Sequence, residues 1–347
     1  MGHAANGVLI LPEKQGLMVN GVQKPLLPNC PNWRTVTIDS DLGNTVLKVS
    51  GVEFAEWFVQ AQQRTISQRS ATRCAEGIDR AELIWLLQAW TDLDRLALQL
   101  GDYRHREVIG LVKPWHEIKA AWERRVSERY PVQYLVGQVS WRNFLINVTP
   151  AVLIPRPETE LIIDILQSQG YNAQTTGHWV DLGTGSGAIA LGLADLFPQA
   201  IIHAIDQSET ALAIAVENAR LNQLGDRIKF YQGDWWEPLI HLQGQIAGMV
   251  SNPPYICQAE LEKLQPEVIR HEPLSALAGG ADGLDSVREL IWRSPFYLQK
   301  KGFWLVELMA GQAAIVAELL ERQGTYQNIQ IHRDLAGIDR FVSAQRR

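Results

Sequence analysis

Two short segments of this chain combine residue types that could do chemistry. The first is Ser251-Asn252-Pro253-Pro254-Tyr255, at the end of the apolar run Ile246–Ser251. Two consecutive prolines lock the backbone and remove two N–H donors, so nearby carbonyls point outward as acceptors. Asn252 adds a side-chain carbonyl, and Tyr255 offers a flat face on which a planar group can pack. Together they make a seat for a planar –NH2, its two protons going to the Asn252 side-chain oxygen and the Pro253 carbonyl. Read alone, the same residues also suit a rigid turn or an extended peptide that binds a partner.

The second segment is Asp181-Leu182-Gly183-Thr184-Gly185-Ser186-Gly187, after an apolar strand pattern and before an apolar helix pattern. Glycines there let the chain turn sharply and let backbone approach a ligand. The helix start adds free N–H groups. A phosphate-cradling loop needs Gly-Lys-Ser/Thr, and this chain has Gly187-Ala188-Ile189. The dinucleotide spacing G-x-G-x-x-G is also absent. Asp206 ends the next strand pattern, 23 positions after Gly183, where an acid suits the two ribose hydroxyls of an adenosine. Ser208 is the better helix cap, which leaves Asp206 freer for a ligand. Asp234-Trp235 would set an amide or a ring edge beside the adenine. Adenosine without a phosphate loop fits S-adenosylmethionine (SAM).

The two segments then make one chemistry. A carboxamide nitrogen is a poor nucleophile because its lone pair is delocalised into the carbonyl. Two acceptors that favour a pyramidal nitrogen localise that pair, and alignment with a sulfonium methyl supplies much of the rate. No strong base is needed, because the nitrogen becomes acidic as the methyl arrives.

The elements that must position these segments read as follows. From residue 178, strands are expected at Trp179–Leu182, Ile201–Asp206, Ile228–Tyr231, Ile246–Ser251 and Phe303–Leu308, with helices at Ala188–Phe197, Glu209–Leu224, Ser286–Leu298 and Gln312–Gln323. That alternation predicts a parallel sheet covered on both faces. Asn328–His332 and Arg340–Ala344, joined by a turn at Gly337, must pair antiparallel. The fold class is α/β, a Rossmann-like SAM-dependent methyltransferase sheet, with a helical bundle ahead of it. Residues 51–135 carry helical apolar stripes, such as Ile118, Trp122 and Val126, and are expected to form that bundle, with substrate docking as its functional reading. Trp57, Trp85, Trp90 and Trp122 sit at core positions. Residues 136–155 suggest a β-hairpin linker, followed by the methyltransferase domain at 156–347 and a helix at Glu158–Gln169. Residues 1–50 are Gly- and Pro-rich and aperiodic, with short β-like runs such as Thr35–Ile38 and Thr45–Val49, and are expected to be a poorly structured extension.

Composition narrows the class. The chain has 347 residues, 46% of them apolar and 20% charged, an ordinary globular mix. No apolar run is long enough to span a membrane as a helix. The start Val8–Leu11 is too short for a signal-peptide core, and Asn6 breaks the myristoylation pattern. Net charge is −6, and residues 156–347 hold 15 basic against 23 acidic groups. That acidity is a poor match for non-specific grip on a phosphate backbone, so direct nucleic-acid binding is not expected. Cys30, Cys74 and Cys257 lie too far apart for a disulfide framework or a four-thiolate zinc site and fit a reducing cytoplasm. The eight histidines lack ligand spacing, so no metal is expected. His271 and Glu272 could meet a substrate or sit in a solvated loop.

The motifs taken together resemble the HemK/PrmC family. The resemblance rests on Gln133–Gly137, Leu153-Ile154-Pro155-Arg156-Pro157-Glu158-Thr159-Glu160, Asp181–Gly187, Val250–Ile256 and His271-Glu272-Pro273 through Ala278–Leu284. It covers residues of about 51–347. Glu307-Leu308-Met309 departs from the usual Glu-Ile-Gly and puts the local loop in question. The resemblance implies methylation of the glutamine in the Gly-Gly-Gln motif of class-1 peptide-chain release factors, with those factors as partners. It implies that Gly183, Thr184, Gly185, Ser186, Gly187, Asp206, Trp235 and Asn252 bind SAM, and that Asn252, Pro253, Pro254 and Tyr255 hold the glutamine. The alternatives are a ribosomal-protein glutamine methyltransferase, an adenine-N6 nucleic-acid methyltransferase, which would share Asn-Pro-Pro-Tyr, and a non-catalytic scaffold.

Overall fold

The computed structural model describes residues 18–19, 22–23, 47–71 and 78–347. Nearly all of the expected extension at 1–50, with the runs at Thr35–Ile38 and Cys30, lies outside the described residues, as does Cys74. Two compact units divide the chain between Val136 and Gly137.

The first unit holds β1 (Lys48–Ser50), α1 (Gly51–Ala71), α2 (Arg80–Trp90), α3 (Arg95–Leu100), β2 (Val108–Gly110), α4 (Trp115–Glu128) and α5 (Val132–Val136). Asp79 and Asp94 cap α2 and α3 through their carboxylates. Phe54 and Phe58 of α1, Leu83, Leu86 and Leu87 of α2, and Ile118 and Trp122 of α4 share one core. Each such buried side chain contributes about 1.5–3 kcal/mol. Trp90 and Trp122 are buried, while Trp57 and Trp85 pack against that core, so the tryptophans pack as expected. The expected boundary at residue 51 shifts: β1 pairs antiparallel with β2, and Leu47 accepts from Leu111, so residues 47–50 are part of this unit.

The second unit opens with a hairpin, β3 (Gln138–Trp141) and β4 (Phe144–Asn147). It is not a free linker. Asn218 exchanges hydrogen bonds with both backbone groups of Asn147, and Asn222 does the same with Leu145. Both asparagines face the hairpin like rungs of a further strand, and this holds β4 to the sheet unit. The helix expected at Glu158–Gln169 is a 3₁₀ turn, Glu158–Glu160, followed by α6 (Leu161–Ser168).

The sheet follows: β5 (His178–Leu182), α7 (Ala188–Leu196), β6 (Ile201–Asp206), α8 (Glu209–Leu221), β7 (Ile228–Gln232), β8 (Ile246–Ser251), the short helices α9 (Gln258–Leu261) and α10 (Pro266–His271), α11 (Asp285–Tyr297), β9 (Leu298–Glu307), α12 (Ala313–Gln323), β10 (Tyr326–Arg333) and β11 (Asp339–Arg346). Strand order is β10-β11-β9-β8-β5-β6-β7. Five strands run parallel and β11 pairs antiparallel with β10, as expected; β11 also pairs antiparallel with β9. The chain builds outward from β5 through β6 and β7, then returns to lay β8 on the other side of β5. That reversal opens a crevice at the carboxyl ends of β5 and β8, where open α/β sheets bind ligands. Register places Leu182 beside Ser251, so the two chemistry-bearing loops leave the sheet side by side. Ser251 Oγ also donates to the Leu182 carbonyl at 2.6 Å.

Candidate active site

A cavity of about 420 Å³ opens at that crevice. Gly183, Thr184, Gly185 and Ser186 line it from β5, Asp206 from β6, Trp235 after β7, and Asn252 and Pro254 after β8. Gly187, Pro253 and Tyr255 do not line it. Gly187 instead makes the turn into α7: its φ is +85°, and a Cβ there would sit 3.1 Å from the Ala215 Cβ of α8. Pro253 is buried. Tyr255 does not offer its face to the cavity; its hydroxyl donates to Glu307 Oε1 at 3.2 Å.

The glycine loop is braced from three sides. Asp181 is fully buried, and its Oδ2 accepts from Thr184 Oγ1 at 2.5 Å and from the Ala190 N–H at 3.0 Å. Its Oδ1 has no hydrogen-bond partner among the described residues. Burial pushes this carboxyl up to about 7 against the pull of those donors. Asn218, also fully buried, donates to the Ser186 carbonyl at 2.9 Å, which joins the loop to α8 and the hairpin. Asp206 supplies the third brace. Its Oδ2 accepts from the Gly185 N–H at 2.8 Å and its Oδ1 from the Ser208 N–H at 2.9 Å. Ser208 does cap α8 through Ala211. Even so, Asp206 is not left free as expected, because Ser208 beside it and Gly185 of the glycine loop each supply an N–H donor. A carboxylate has about four acceptor sites, so both oxygens can still take a hydroxyl. Burial raises its pKa, and the N–H donors oppose that.

Asn252 is oriented by a residue the sequence did not single out. Its Nδ2 donates to Thr159 Oγ1 at 3.1 Å. With Nδ2 engaged, Oδ1 is what the amide has to offer the cavity. The chain beyond Tyr255 is zipped to the stretch at 277–280: Ile256 N–H donates to Leu277, and Gly279 N–H donates back to Ile256. A Cβ on Gly279 would lie 2.7 Å from the Pro254 carbonyl oxygen, so only glycine allows this approach. Gln312 Nε2 donates to the Tyr255 carbonyl at 3.0 Å, and the Met309 N–H donates to Gln312 Oε1. The loop therefore stays anchored where its sequence departs from Glu-Ile-Gly.

Arg156 lines the cavity and pairs with Glu272 Oε1 at 2.6 Å; Glu272 Oε2 takes the Ile154 N–H. Glu272 is thus neither a substrate contact nor solvated. It holds the Pro155–Pro157 segment in place.

The residues present fit SAM. A Cβ built on Gly185 meets nothing within 4 Å, which leaves its backbone open to a ligand. Asp206 offers spare acceptor sites, and the Trp235 ring lies against Gly183. No group of three or more His, Cys, Asp or Glu that could hold a metal occurs among the described residues.

Comparison with known proteins agrees. Residues 157–281 match the model of the Methyltransferase small domain. A release factor glutamine methyltransferase of Synechocystis sp. is 64% identical over 300 residues, covering 86% of this chain and 97% of that one. One from Thermosynechococcus vestitus is 48% identical over 264 residues, covering 76% and 90%. Among solved structures, the hMettl16 catalytic domain superposes with a TM-score of 0.49 at 16% identity, covering 78% of this chain and 92% of that one. The chain belongs to the family of release factor glutamine methyltransferases.

Proposed function

We propose that this protein methylates the side-chain nitrogen N5 of the glutamine in the Gly-Gly-Gln motif of class-1 release factors, with SAM as donor. The observation that carries this reading is the shared cavity: Asn252, its amide oriented by Thr159, lines the same space as the glycine loop and Asp206. Gly183, Thr184, Gly185 and Ser186 would hold SAM by backbone and hydroxyl groups, Asp206 by the ribose hydroxyls, and Trp235 beside the adenine. Bound there, SAM supplies a methyl group activated by a sulfonium leaving group. Asn252 Oδ1 accepts an amide proton and turns the nitrogen lone pair toward that methyl. Pro254 stiffens the loop. As the new N–C bond forms, one amide proton is lost to water. Positioning rather than a strong base therefore carries the rate.

The helical unit is assigned to docking the protein substrate. One glutamine buries too little surface for a specific complex, which needs on the order of 1,200 Å² or more. The crevice unit holds the complete set of residues assigned to SAM and the amide, so contact with a folded partner falls to the other unit.

The test incubates the protein with labelled SAM and, separately, a class-1 release factor, ribosomal protein and DNA. Label should enter the release factor alone, on the Gly-Gly-Gln peptide. Asn252→Ala should lower kcat by about 10²–10³, the usual loss for one preorganised hydrogen-bonding group in a closed site. Label in DNA or ribosomal protein instead, or wild-type turnover by Asn252→Ala, would overturn the reading.

A further inference from the structure

The Asn252–Tyr255 loop is gripped by a residue that the proposed chemistry leaves unused. Glu307 ends β9 and is 1% exposed. Its Oε1 accepts from the Tyr255 hydroxyl, while its Oε2 has no hydrogen-bond partner among the described residues. The charged groups around it give no ion pair of its own. Arg340 of β11 is nearby but is bonded to Asp334 Oδ2 at 3.1 Å. Glu158 of the 3₁₀ turn repels it. Arg156, which bears on Tyr255, is paired with Glu272. A buried carboxyl without a countercharge is an expensive way to fill space, and an apolar residue or an amide would do that better. Such a group beside a reactive loop is a functional candidate.

Two anchors meet at Glu307. Tyr255 is held by its hydroxyl there and by its carbonyl at Gln312, five residues further along the chain. Thr159, which takes the Asn252 amide, also favours the charged form of Glu307. Tyr255, one end of the loop, is thus tied to this carboxyl.

We propose that Glu307 is a positioning residue for methyl transfer, which fixes the Asn252–Tyr255 loop through the Tyr255 hydroxyl. This rests on the reading of Asn252 given above. Its consequence is a pH dependence. Charged Glu307 accepts from the Tyr255 hydroxyl. Protonated, it must donate one hydrogen itself, and the grip loosens. Burial, the largest cause, pushes its pKa up to about 7. The rate should therefore rise as pH climbs through that region.

The experiment measures single-turnover methylation of release factor from pH 5.5 to 9, with SAM affinity measured in parallel. Glu307→Gln keeps size and one acceptor but cannot ionise. It should lower kcat about tenfold, within the loss expected from a misplaced reacting group. It should also abolish the rise near neutral pH and leave SAM affinity unchanged. Tyr255→Phe should lose rate to a similar degree, and the double variant should be no worse than either single one, because both break the same link. Wild-type rates and an unchanged pH profile in Glu307→Gln, or strict additivity with Tyr255→Phe, would overturn the proposal while leaving the methylation reading intact. A wild-type enzyme that labels no release factor would overturn both.

Discussion

Asp206→Ala tests the cofactor assignment most directly, because the structure gives this side chain two duties. Its oxygens accept from the Gly185 and Ser208 N–H groups, and the remaining acceptor sites are assigned to the ribose. Each hydrogen bond to a charged acceptor contributes about 1.5–3 kcal/mol. Two ribose hydroxyls set an upper bound near 6 kcal/mol, but neighbouring contacts do not add fully. A loss of about 3 kcal/mol is the reasoned value, which is roughly a 10²-fold rise in Kd. The fold should survive. Ser208 Oγ still caps α8, water can reach the Gly185 N–H where its surroundings are open, and a partly desolvated carboxyl is removed in exchange. Calorimetry should use both SAM and its demethylated thioether product. The product keeps the adenosine but lacks the sulfonium charge, so a ribose contact predicts the same loss for both ligands. A loss confined to SAM would mean that Asp206 acts on the sulfonium charge. Unchanged affinity for both, in a variant with a wild-type melting curve, would refute the ribose assignment.

Two further outcomes follow from the same geometry. Asp181 and Glu307 are raised from ordinary carboxyl values to about 7, so between roughly pH 4.5 and 7 the folded protein holds protons that the unfolded chain has released. Stability should therefore fall as pH rises through that window, by of the order of 3 kcal/mol per group; Asp181→Asn should remove about one proton from the slope in denaturant titrations at pH 5 and 8, and parallel curves for the two proteins would contradict the burial argument. Residues 137–347 alone should bind SAM with unchanged affinity yet lose kcat/KM toward intact release factor, and equal kcat/KM for the two forms would refute the docking role of the helical unit.

The sheet was largely legible because parallel strands buried on both faces are short, continuous apolar runs. Ile201–Asp206 and Ile246–Ser251 come out residue for residue. The start of β9 does not: Gln299, Lys300 and Lys301 are exposed and polar, and of this stretch only Leu298 pairs in register, with Ile246, before an irregularity that ends at Phe303. The hairpin reads as a linker for a similar reason. Asn218 and Asn222 look like the wet face of a helix until the structure turns them onto Asn147 and Leu145. Within the site, the motifs name Gly183–Ser186, Asp206, Trp235, Asn252 and Pro254, which line the cavity, and Gly187, Pro253 and Tyr255, which do not. What holds those residues is long-range. Thr159 reaches Asn252 across 93 positions, Glu307 reaches Tyr255 across 52, and Gln312 reaches Tyr255 across 57. No local pattern encodes such a contact. The hydrogen bonds that Asp206 accepts are hidden for a further reason. Their donors are backbone N–H groups, which every residue but proline carries, so nothing in the side-chain alphabet announces them.

One common device links the two loops. The glycine loop leans on Asp181 and the asparagine loop on Glu307. Each acid is buried at the carboxyl end of its strand, and among the described residues each has one oxygen without a hydrogen-bond partner and neither has an ion pair of its own. The strands between them are registered so that Leu182, Ser251 and Val306 lie abreast. A sheet is stiff across its hydrogen bonds, so the spacing of donor site and acceptor site is set by register, and the pose of each loop by its acid. Direct transfer between two bound groups needs this arrangement. An amide nitrogen and a methyl carbon must meet in line, and an error of about 1 Å can cost 10²-fold in rate. Neutral residues would be more stable at those two positions at high pH. A carboxylate can hold several donors at fixed angles at once, which an apolar side chain cannot do and an amide does with fewer acceptor sites. The stability given up above neutral pH and the precision of the two loops are then one property of the same buried acids.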